Sequence, residues 1–219
     1  QRQRIRTLTR RLIILGASGH GKVAADCAEV TGVYNSIAFL DAVYPNQCLV
    51  GNWPILEKPE NAHVFNNHNT DFFVAVGNNL IREKLLNGLL QANLNIVSLI
   101  HPKSVVSRHA TIAAGVLVCA NATINPMATV GIGGIINTAA SIDHDCVIGD
   151  YAHISVGVRL AGSVVVGNHS FVGINSCVIQ GVTIGQNCML GAGASLISDL
   201  PDNTTAVGTP AKVIKTHEI

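Results

Sequence analysis

Residues 142–160, IDHDCVIGDYAHISVGVRL, carry a branched aliphatic residue at every sixth position. The same step of six runs from residue 100 to residue 196 without an insertion, and all seventeen positions are Ile, Leu or Val. The residue two before each of them, from 104 to 194, is Ser, Ala, Val, Gly or Cys. A period of six fits neither an α-helix nor a hairpin, so it predicts short strands that fold into coils of three hexads.

The hexads predict a parallel β-helix in residues 99–200. Each coil takes 18 residues, coils stack as parallel strands about 4.8 Å apart, and residues i and i+18 lie above one another. This is the pattern of hexapeptide-repeat β-helices, which wind left-handed against the usual right-handed rule. Gly, Asn or Asp often follows the aliphatic residue, and we expect these types to supply the left-handed backbone of the turns. They stand at 125, 131, 137, 143, 149, 167, 173, 185 and 191.

Composition excludes several classes of protein. The 219 residues suffice for one large domain or two small ones, and a net charge of +1 gives no electrostatic case for binding nucleic acid. No apolar run approaches the roughly 18 residues of a membrane span, and no secretory signal is visible. The six cysteines form no CxxC pair, which favours free thiols and a cytoplasmic location. The basic residues 1–10 are expected to form a solvated tail.

Residues 11–98 alternate between strand and helix patterns. Their first twenty residues, RLIILGASGHGKVAADCAEV, predict a strand, a Gly-rich turn and a helix. Further strands are predicted at 36–43 and 71–79, and a second helix at 80–94. The alternation favours a Rossmann-like α/β domain with a parallel sheet, followed by the β-helix and then by a C-terminal segment, 201–219.

The Gly-rich turn has two interpretations. Gly16, Gly19 and Gly21 are spaced G-x-x-G-x-G, which is not the dinucleotide-binding order G-x-G-x-x-G. The turn can cradle a phosphate at the N-terminus of the following helix, or its glycines can merely pack helix on strand. Asp41 ends the second strand, where a carboxylate can accept hydrogen bonds from ribose hydroxyls or a base.

The opening stretch also concentrates ionisable side chains in an otherwise apolar repeat. His144 stands two residues past Ile142, outside the two inward-facing positions of the hexad, so we expect it to point outward. From pattern alone it is a surface histidine, a catalytic base or a metal ligand. Cys146 takes the inward small position and faces away from His144, and the spacing lacks short ligand pairs, so we expect no metal.

Several blocks of the sequence resemble the sialic-acid O-acetyltransferase-like sugar acyltransferases, a family of hexapeptide-repeat enzymes. The blocks are GASGHG at 16–21, FLD at 39–41, GNN at 77–79 with Arg82, HDCVIGDYAHISVGV at 144–158, GINSCV at 173–178 and GTPAK at 208–212. The likeness spans residues 11–214 and is greatest to the branch that N-acetylates UDP-4-amino-sugars in the bacillosamine pathway. The resemblance implies a homotrimer without a metal, which takes acetyl-CoA between neighbouring β-helices and a nucleotide-linked amino sugar on the N-terminal domain.

The resemblance assigns catalytic roles at four positions. His144 matches the general base, which needs a pKa near neutrality to accept the proton of an amine. Asp145 matches the carboxylate that orients the imidazole, although the family often has Glu there, and Asp143 is an alternative partner. Gly162, one coil after His144, matches the glycine whose N–H faces the thioester oxyanion, or is a turn glycine. Asn137 matches a polar residue near the reacting centre, or belongs to a stacked side-chain ladder.

Other matches imply ligand contacts. His153, Ile174 and Ala192 match residues that contact acetyl-CoA, and the last two are one coil apart, so their backbones line a groove for the pantetheine arm. His153 can instead stabilise the trimer seam. The implied nucleotide-sugar contacts are Ser18, Gly19, His20, Asp41, Asn78 and Arg82. Ala42 departs from the second acid that many relatives have, and Arg82 can instead pair with a surface carboxylate.

Together these matches predict an acetyl-CoA-dependent N-acetyltransferase. It acts on the 4-amino group of a nucleotide-linked 4-amino-4,6-dideoxy-sugar, by direct attack on the thioester, in the synthesis of surface glycans. The first alternative is O-acetylation of a sugar such as sialic acid, which uses the same base and fold. The second is a non-catalytic β-helix that binds sugar nucleotides, against which the His144–Asp145 pair argues.

Overall fold

The computed structural model describes residues 10–217, so residues 1–9 of the predicted basic tail lie outside it. The N-terminal unit alternates between strands and helices. Its elements are β1 (Arg11–Leu15), α1 (Gly19–Thr31), β2 (Ser36–Leu40), β3 (Leu49–Val50), β4 (Trp53–Glu57), a 3₁₀-helix (Pro59–Phe65), β5 (Thr70–Val74) and α2 (Asn79–Gln91). The sequence pattern did not predict the β3–β4 hairpin or the 3₁₀-helix, which lie between β2 and β5.

The sheet of this unit is buried on both faces because a helix covers each side. Its strand order is β3-β4-β2-β1-β5, and all pairs are parallel except β3 with β4. Alternate residues of β1 divide accordingly. Leu12 and Ile14 pack on the side of α1, whereas Ile13 and Leu15 pack on the side of α2. This division explains why RLIIL is a continuous apolar run rather than an alternating one.

Residues 99–196 form two-residue strands, one for each predicted hexad. Every strand ends on the aliphatic residue of the step of six. The strands are β6 (Leu99–Ile100), β7 (Val105–Val106), β8 (Thr111–Ile112), β9 (Leu117–Val118), β10 (Thr123–Ile124), β11 (Thr129–Val130), β12 (Ile135–Ile136), β13 (Ser141–Ile142), β14 (Val147–Ile148), β15 (His153–Ile154), β16 (Arg159–Leu160), β17 (Val165–Val166), β18 (Phe171–Val172), β19 (Cys177–Val178), β20 (Thr183–Ile184), β21 (Met189–Leu190) and β22 (Ser195–Leu196).

These strands stack into the three parallel sheets of a left-handed β-helix, which confirms the predicted fold class. The first sheet runs from β7 to β22, the second from β8 to β20, and the third from β6 to β21, each taking every third strand. Strands β23 (Thr204–Val207) and β24 (Lys212–Thr216) extend the third sheet, with β24 antiparallel to β23. Ile142 pairs with Leu160, one coil of 18 residues away, as the period of six predicts.

The interior of the β-helix consists of the aliphatic and small positions of the hexad. Ile142, Ile148 and Ile154 are at most 1% exposed, and Cys146 and Ala152 are buried between them. Branched and small side chains alternate because three strands face one another across a narrow triangle that must be filled without voids.

The prediction for the turn glycines is wrong. Positive φ angles occur three residues after the aliphatic position, not one, and the residues there include Asp145 (φ 59°) and Tyr151 (φ 57°). Gly149, one residue after an aliphatic position, does not adopt a positive φ. It is glycine for a different reason, because a Cβ would lie 2.7 Å from the backbone N of Asn168 in the next coil. The missing side chain lets successive coils approach each other.

Gly149→Ala is expected to destabilise the protein by about 1–3 kcal/mol, because the methyl group would press on the backbone of Asn168. Thermal unfolding of the purified protein measures the effect. Gly88→Ala is the matched control, because Gly88 lies in α2 with no atom within 4 Å of an added Cβ. The same change there is expected to stabilise the helix by about 0.5–1 kcal/mol. Equal unfolding temperatures for the two variants would contradict the steric role of Gly149.

The N-terminal unit rests on the third sheet of the β-helix. Leu99 and Leu117 of that sheet, and Cys119 directly after β9, join the core on the side of α1. Tyr151, at a corner of a later coil, joins the core on the side of α2. Shared hydrophobic cores therefore hold the two units together. Within residues 10–217, no helix is long and apolar enough to cross a membrane.

Candidate active site

His144 lies on an outer corner of the β-helix, in the turn between β13 and β14. Its backbone N–H donates to Asp143 Oδ1 at 2.8 Å, and its side chain is 59% exposed. The imidazole therefore points outward, where the hexad register places it, and is accessible to a substrate.

Asp145 holds the imidazole of His144 in place. Its Oδ2 lies 2.7 Å from His144 Nδ1, and its left-handed backbone (φ 59°) turns the short side chain toward the ring. The carboxylate favours the proton on Nδ1 and leaves Nε2 free to accept another. The hydrogen bond to Asp145 raises the pKa of His144, and the negative charge of Asp143 adds to this effect.

Asn125 supports the same corner, a role that the sequence analysis missed. Its Nδ2 donates to Asp143 Oδ1 at 2.8 Å. This hydrogen bond, and then the one from His144 N, lowers the pKa of Asp143, so the carboxylate stays charged. Asp143 thus holds the backbone of the turn, whereas Asp145 holds the ring. The step of one coil from Asn125 to Asp143 was the available clue, because residues one coil apart are neighbours.

Gly162 lies against the ring of His144 from the next coil. A Cβ at Gly162 would lie 2.5 Å from His144 Cε1 and 2.6 Å from Nε2, so glycine leaves the room that the imidazole occupies. Within the described residues, the Gly162 N–H has no hydrogen-bond acceptor. A free amide beside an imidazole nitrogen can stabilise an oxyanion while the histidine takes a proton.

Free amides recur at the same hexad position on a second corner. Ile174 and Ala192 are exposed, and their amides have no acceptor among residues 10–217. On the third corner, side chains of the next coil satisfy the equivalent amides. Ile132 N donates to Asp150 Oδ1 at 3.0 Å, and Asp150 N donates to Asn168 Oδ1 at 2.8 Å. Free amides one coil apart fit the amide-rich pantetheine arm of an acyl-CoA.

His153, His20 and Asn137 come together where the N-terminal unit meets the β-helix. The two imidazole centroids are 6.2 Å apart, and Phe171 packs edge-on against His153 at 5.0 Å. Asn137 Oδ1 accepts from Thr138 N, which turns the amide Nδ2 toward His153 Nε2 at 3.2 Å. Asn137 therefore donates to Nε2, and His153 carries its proton on Nδ1. That nitrogen is buried and has no partner in the described chain.

Both imidazoles of this cluster are neutral at pH 7. Burial, followed by nearby positive charge that includes Arg82, lowers the pKa of His20 to about 4 and that of His153 to about 3. His20 Nε2 is likewise buried without a partner among residues 10–217. Within the part of the chain that the structure describes, two ring nitrogens thus lie unpaired at the junction of the N-terminal unit and the β-helix. A ligand bound there can supply the missing hydrogen bonds.

Packing accounts for two of the three glycines in the turn after β1. Gly16 has a φ of 105°, and a Cβ on Gly21 would overlap Gly16 O, so strand and helix meet only with glycine there. Gly19 is different, because no atom lies within 4 Å of an added Cβ. Ser18 beside it is exposed, so these two residues are open to a ligand.

Asp41 and Asn78 each support a backbone segment at the same edge of the sheet. Asp41 Oδ2 accepts the Ala17 N–H at 2.7 Å, and its Oδ1 accepts the Val43 N–H at 3.0 Å. The Asn78 side chain caps α2 by accepting the Ile81 N–H at 3.0 Å. Both residues follow the carboxyl ends of parallel strands, which is where α/β sheets bind their ligands.

Known proteins match both parts of the chain. The PglD N-terminal domain matches residues 11–89, and the hexapeptide repeat of succinyl-transferase matches residues 163–197. The acetyltransferase domain of PglB from Neisseria gonorrhoeae FA1090, solved in complex with acetyl coenzyme A, is 37% identical with a TM-score of 0.90. The match covers 94% of this chain and 100% of that one. The chain belongs to the hexapeptide-repeat sugar acyltransferases.

Two further structures resemble this acyltransferase. PerB from Caulobacter crescentus, in complex with CoA and GDP-perosamine, is 35% identical with a TM-score of 0.88, over 93% of this chain and 97% of that one. WeeI from Acinetobacter baumannii AYE, at 24% identity and a TM-score of 0.87, covers 94% of this chain and 100% of its own, and shows the shared fold. The enzyme is thus a sugar N-acetyltransferase by family, with acetyl-CoA as co-substrate.

Arg82 of the acyltransferase does not fit the predicted substrate contact, nor an ion pair with a surface carboxylate. Its side chain is 1% exposed. Its guanidinium donates to the main-chain carbonyls of Gly133 and Tyr151 and to Asn79 Oδ1. A guanidinium buried in this way cannot reach a ligand at the surface. The GNN block places Arg82 near the site, but sequence alone does not show that it faces the other unit.

The ionisable residues of the acyltransferase's repeat do not form a metal cluster in the described part of the chain. Within residues 10–217, no group of three or more His, Cys, Asp or Glu side chains is placed to hold a metal ion. Cys146 is buried, and its Sγ donates to Ala161 O at 3.2 Å, so it faces the interior as the hexad predicts.

Proposed function

We propose that the enzyme transfers the acetyl group of acetyl-CoA to the 4-amino group of a nucleotide-linked 4-amino-4,6-dideoxy-sugar, with His144 as the general base. The observation that carries this proposal is the corner at which His144, held by Asp145, lies against Gly162 and its free amide. PerB, at 35% identity, was solved with CoA and GDP-perosamine, which supports a nucleotide-linked amino sugar as the acceptor.

The proposed reaction is a direct transfer from sulfur to nitrogen. The lone pair of the neutral sugar amine attacks the thioester carbon, the N–C bond forms, and the carbonyl oxygen becomes negative. His144 Nε2 takes the proton that the nitrogen loses, and Asp145 stabilises the resulting imidazolium. The Gly162 N–H stabilises the oxyanion. The C–S bond then breaks, and the CoA thiolate receives the proton from His144.

The proposed enzyme is a homotrimer with its active sites between subunits. His144 and Gly162 share one corner of the triangular coil. Ile174 and Ala192 share another, because Ile174 lies two hexads beyond Gly162 rather than three. A CoA bound along Ile174 and Ala192 of one subunit therefore meets the His144 corner of a neighbour. Sedimentation measures the oligomeric state. A monomer that has full transferase activity would contradict this arrangement.

The remaining ligand contacts divide between the two units. Ile174 and Ala192 bind the pantetheine arm through their amides, and His153 Nδ1–H donates to an oxygen at the acetyl end. The nucleotide sugar lies at the edge of the N-terminal sheet. Its contacts there are Ser18, Gly19, His20, Asp41 and Asn78. We place the enzyme in the cytoplasm, in keeping with its six free thiols, and in the synthesis of surface glycans.

Release of the CoA thiol from acetyl-CoA tests the proposal. The acceptors are UDP-, dTDP- and GDP-linked 4-amino sugars, with sialic acid and UDP-GlcNAc as hydroxyl acceptors. Rapid release with one amino sugar supports N-acetylation and identifies the nucleotide. Release with a hydroxyl acceptor alone would replace the proposal with O-acetylation. Release with none of them, despite binding of acetyl-CoA, would favour a non-catalytic binding protein.

Replacing Asp145 with Asn is expected to shift the pH profile of kcat toward acid. Transfer requires neutral His144, so the rate rises as the pH passes upward through the pKa of His144. In the wild type the hydrogen bond to Asp145 raises this pKa from its ordinary value, so Asp145→Asn lowers it and moves the rising limb to lower pH. The plateau rate falls about 100-fold, because the imidazolium loses its negative partner.

The pH profile is measured as kcat at saturating concentrations of both substrates. Asp150→Asn is the matched control, because Asp150 lies on another corner and accepts the Ile132 amide through an oxygen that Asn retains. It is expected to keep the wild-type limb. If kcat of Asp145→Asn rises over the same pH range as kcat of the wild type, Asp145 does not set the pKa of His144.

A further inference from the structure

Arg82 lies in the first turn of α2, and its side chain donates five hydrogen bonds. Two of them join the N-terminal unit to the β-helix. Its Nε and Nη2 donate to the β-helix, to Gly133 O at 2.7 Å and Tyr151 O at 2.6 Å. Its Nη1 donates to Val76 O at 2.9 Å and Gly77 O at 3.2 Å. Its Nη2 also donates to Asn79 Oδ1 at 2.8 Å. The segment 76–79 is thus fixed to the β-helix by Arg82, alongside the hydrogen bond from Asn79 Nδ2 to His169 O.

The two carbonyls on the β-helix are suited to a guanidinium. Gly133 and Tyr151 stand one coil apart, and both have a left-handed backbone, with φ of 63° and 57°. The ladder between coils uses the carbonyls of the following residues, Gly134 and Ala152, so those of Gly133 and Tyr151 are left to other donors. A planar fork of N–H groups matches two such stacked acceptors, whereas a lysine ammonium does not.

The charge of Arg82 is not neutralised by its acceptors, which are all carbonyl oxygens. This positive charge acts on His20 and His153, the two imidazoles at the junction of the units. Their pKa values of about 4 and about 3 are lowered by burial first and by positive charge in addition. After burial, Arg82 lowers the pKa of His20, and His20 followed by Arg82 lowers the pKa of His153. Arg82 therefore helps to keep both rings neutral while holding the segment beside them.

We propose that Arg82 is a positioning residue of the acceptor site, which fixes segment 76–79, and with it Asn78, in register with His153 on the β-helix. Arg82 does not touch the ligand. It sets the distance between Asn78, which contacts the acceptor substrate, and His153, which contacts the acetyl group to be transferred. The identity of that substrate, the nucleotide-linked amino sugar, rests on the proposed function.

The first test compares kinetics of Arg82→Gln and Arg82→Lys with the wild type. Arg82→Gln is expected to raise KM for the amino-sugar nucleotide about tenfold or more and to leave KM for acetyl-CoA within about twofold. KM for acetyl-CoA changes little because the pantetheine contacts at Ile174 and Ala192 lie apart from Arg82, and only the acetyl end meets His153. Arg82→Lys is expected to fall in between, since it keeps the charge but loses the fork. Lys84→Gln, on the exposed face of α2, is the matched control and should keep both constants.

The second test needs no substrate. Ring resonances of His20 and His153 are followed by NMR as the pH is lowered. In the wild type both rings titrate near their pKa values of about 4 and about 3. Removing a nearby positive charge favours the imidazolium, so Arg82→Gln raises both pKa values and Lys84→Gln does not. If this shift occurs while no acceptor is acetylated by the wild type, the proposed function fails, whereas the effect of Arg82 on the two buried histidines stands.

Asn79→Ala serves if Arg82→Gln does not fold. It removes one acceptor of Arg82 and the hydrogen bond from Asn79 Nδ2 to His169 O at 2.7 Å, so it loosens the same segment more mildly. A selective rise in KM for the amino-sugar nucleotide, smaller than in Arg82→Gln, is expected. Equal changes in both KM values, or none in a folded variant, would overturn the proposal, because a general loss of stability does not distinguish the two substrates.

Discussion

Replacing His144 with Ala is expected to lower kcat by about 10²- to 10⁴-fold, the usual contribution of a general base. The amine can still approach the thioester, but its proton has no acceptor at the corner. Both KM values should stay within a few fold, since the proposed cofactor contacts at Ile174 and Ala192 lie on a different corner. Because the side chain is exposed, the substitution is expected to leave folding unchanged.

Release of CoA thiol under saturating acetyl-CoA and acceptor measures this effect. His109→Ala is the matched control, because His109 is an exposed histidine of an earlier coil that lies outside the proposed site. It should retain wild-type kcat. A His144→Ala enzyme that keeps wild-type kcat would remove His144 as the base and leave transfer to another group.

Gly162→Ala is expected to lower kcat by about 100-fold, although it adds only one methyl group. That methyl would lie 2.6 Å from His144 Nε2, so the imidazole must leave the position in which Asp145 holds it. The displaced ring then no longer lies beside the Gly162 amide, so the base cannot take the proton where the amide holds the oxyanion. The unfolding temperature should change little, because the exposed histidine can swing into solvent.

The double variant His144→Ala with Gly162→Ala separates the two effects of the methyl group. With the ring absent, the methyl has nothing to displace, so the second change should cost much less than it does alone. Gly88→Ala, which adds a methyl where no atom lies within 4 Å, is the matched control for folding. Wild-type kcat in a folded Gly162→Ala enzyme would show that the contact between this glycine and His144 has no part in catalysis.

The β-helix was predictable because its energetics repeat every six residues. Each coil buries one branched and one small residue per side, so Ile142, Ile148 and Ile154 determine where their strands end and which side chains face outward. His144 follows from the same register, two residues past a buried position. Because the same local interaction is repeated many times, the pattern remains recognisable even where one position departs from it.

The interactions that sequence analysis missed are those that occur once. Arg82 looks like a ligand contact because it follows the GNN block, yet two of its acceptors are main-chain carbonyls 51 and 69 residues away. Every residue has a main-chain carbonyl, so the residue types do not indicate which carbonyls accept these hydrogen bonds. Gly149 was predicted to supply the positive φ of a turn. Glycine is also needed where two backbones approach closely, and the sequence alone does not distinguish these two uses.

The pairing of His144 with Asp145 shows an intermediate case. Neighbouring residues with these side chains suggest a pair, but the Asp side chain is one methylene shorter than that of Glu. The left-handed backbone of Asp145 compensates by turning the carboxylate toward the ring. The hexad register could have predicted this if the position of the left-handed residue, three after the aliphatic one, had been recognised.

The antiparallel strand β24 protects the open end of the stack. Parallel strands at this spacing are the geometry along which chains add to one another in fibrils, and an uncovered last strand would template such growth. On the third sheet β24 covers β23, all of its own residues are exposed, and Lys212 and Lys215 place positive charge on it. Within residues 10–217, this face therefore finishes on an antiparallel strand with two lysines, features that disfavour the addition of a second β-helix.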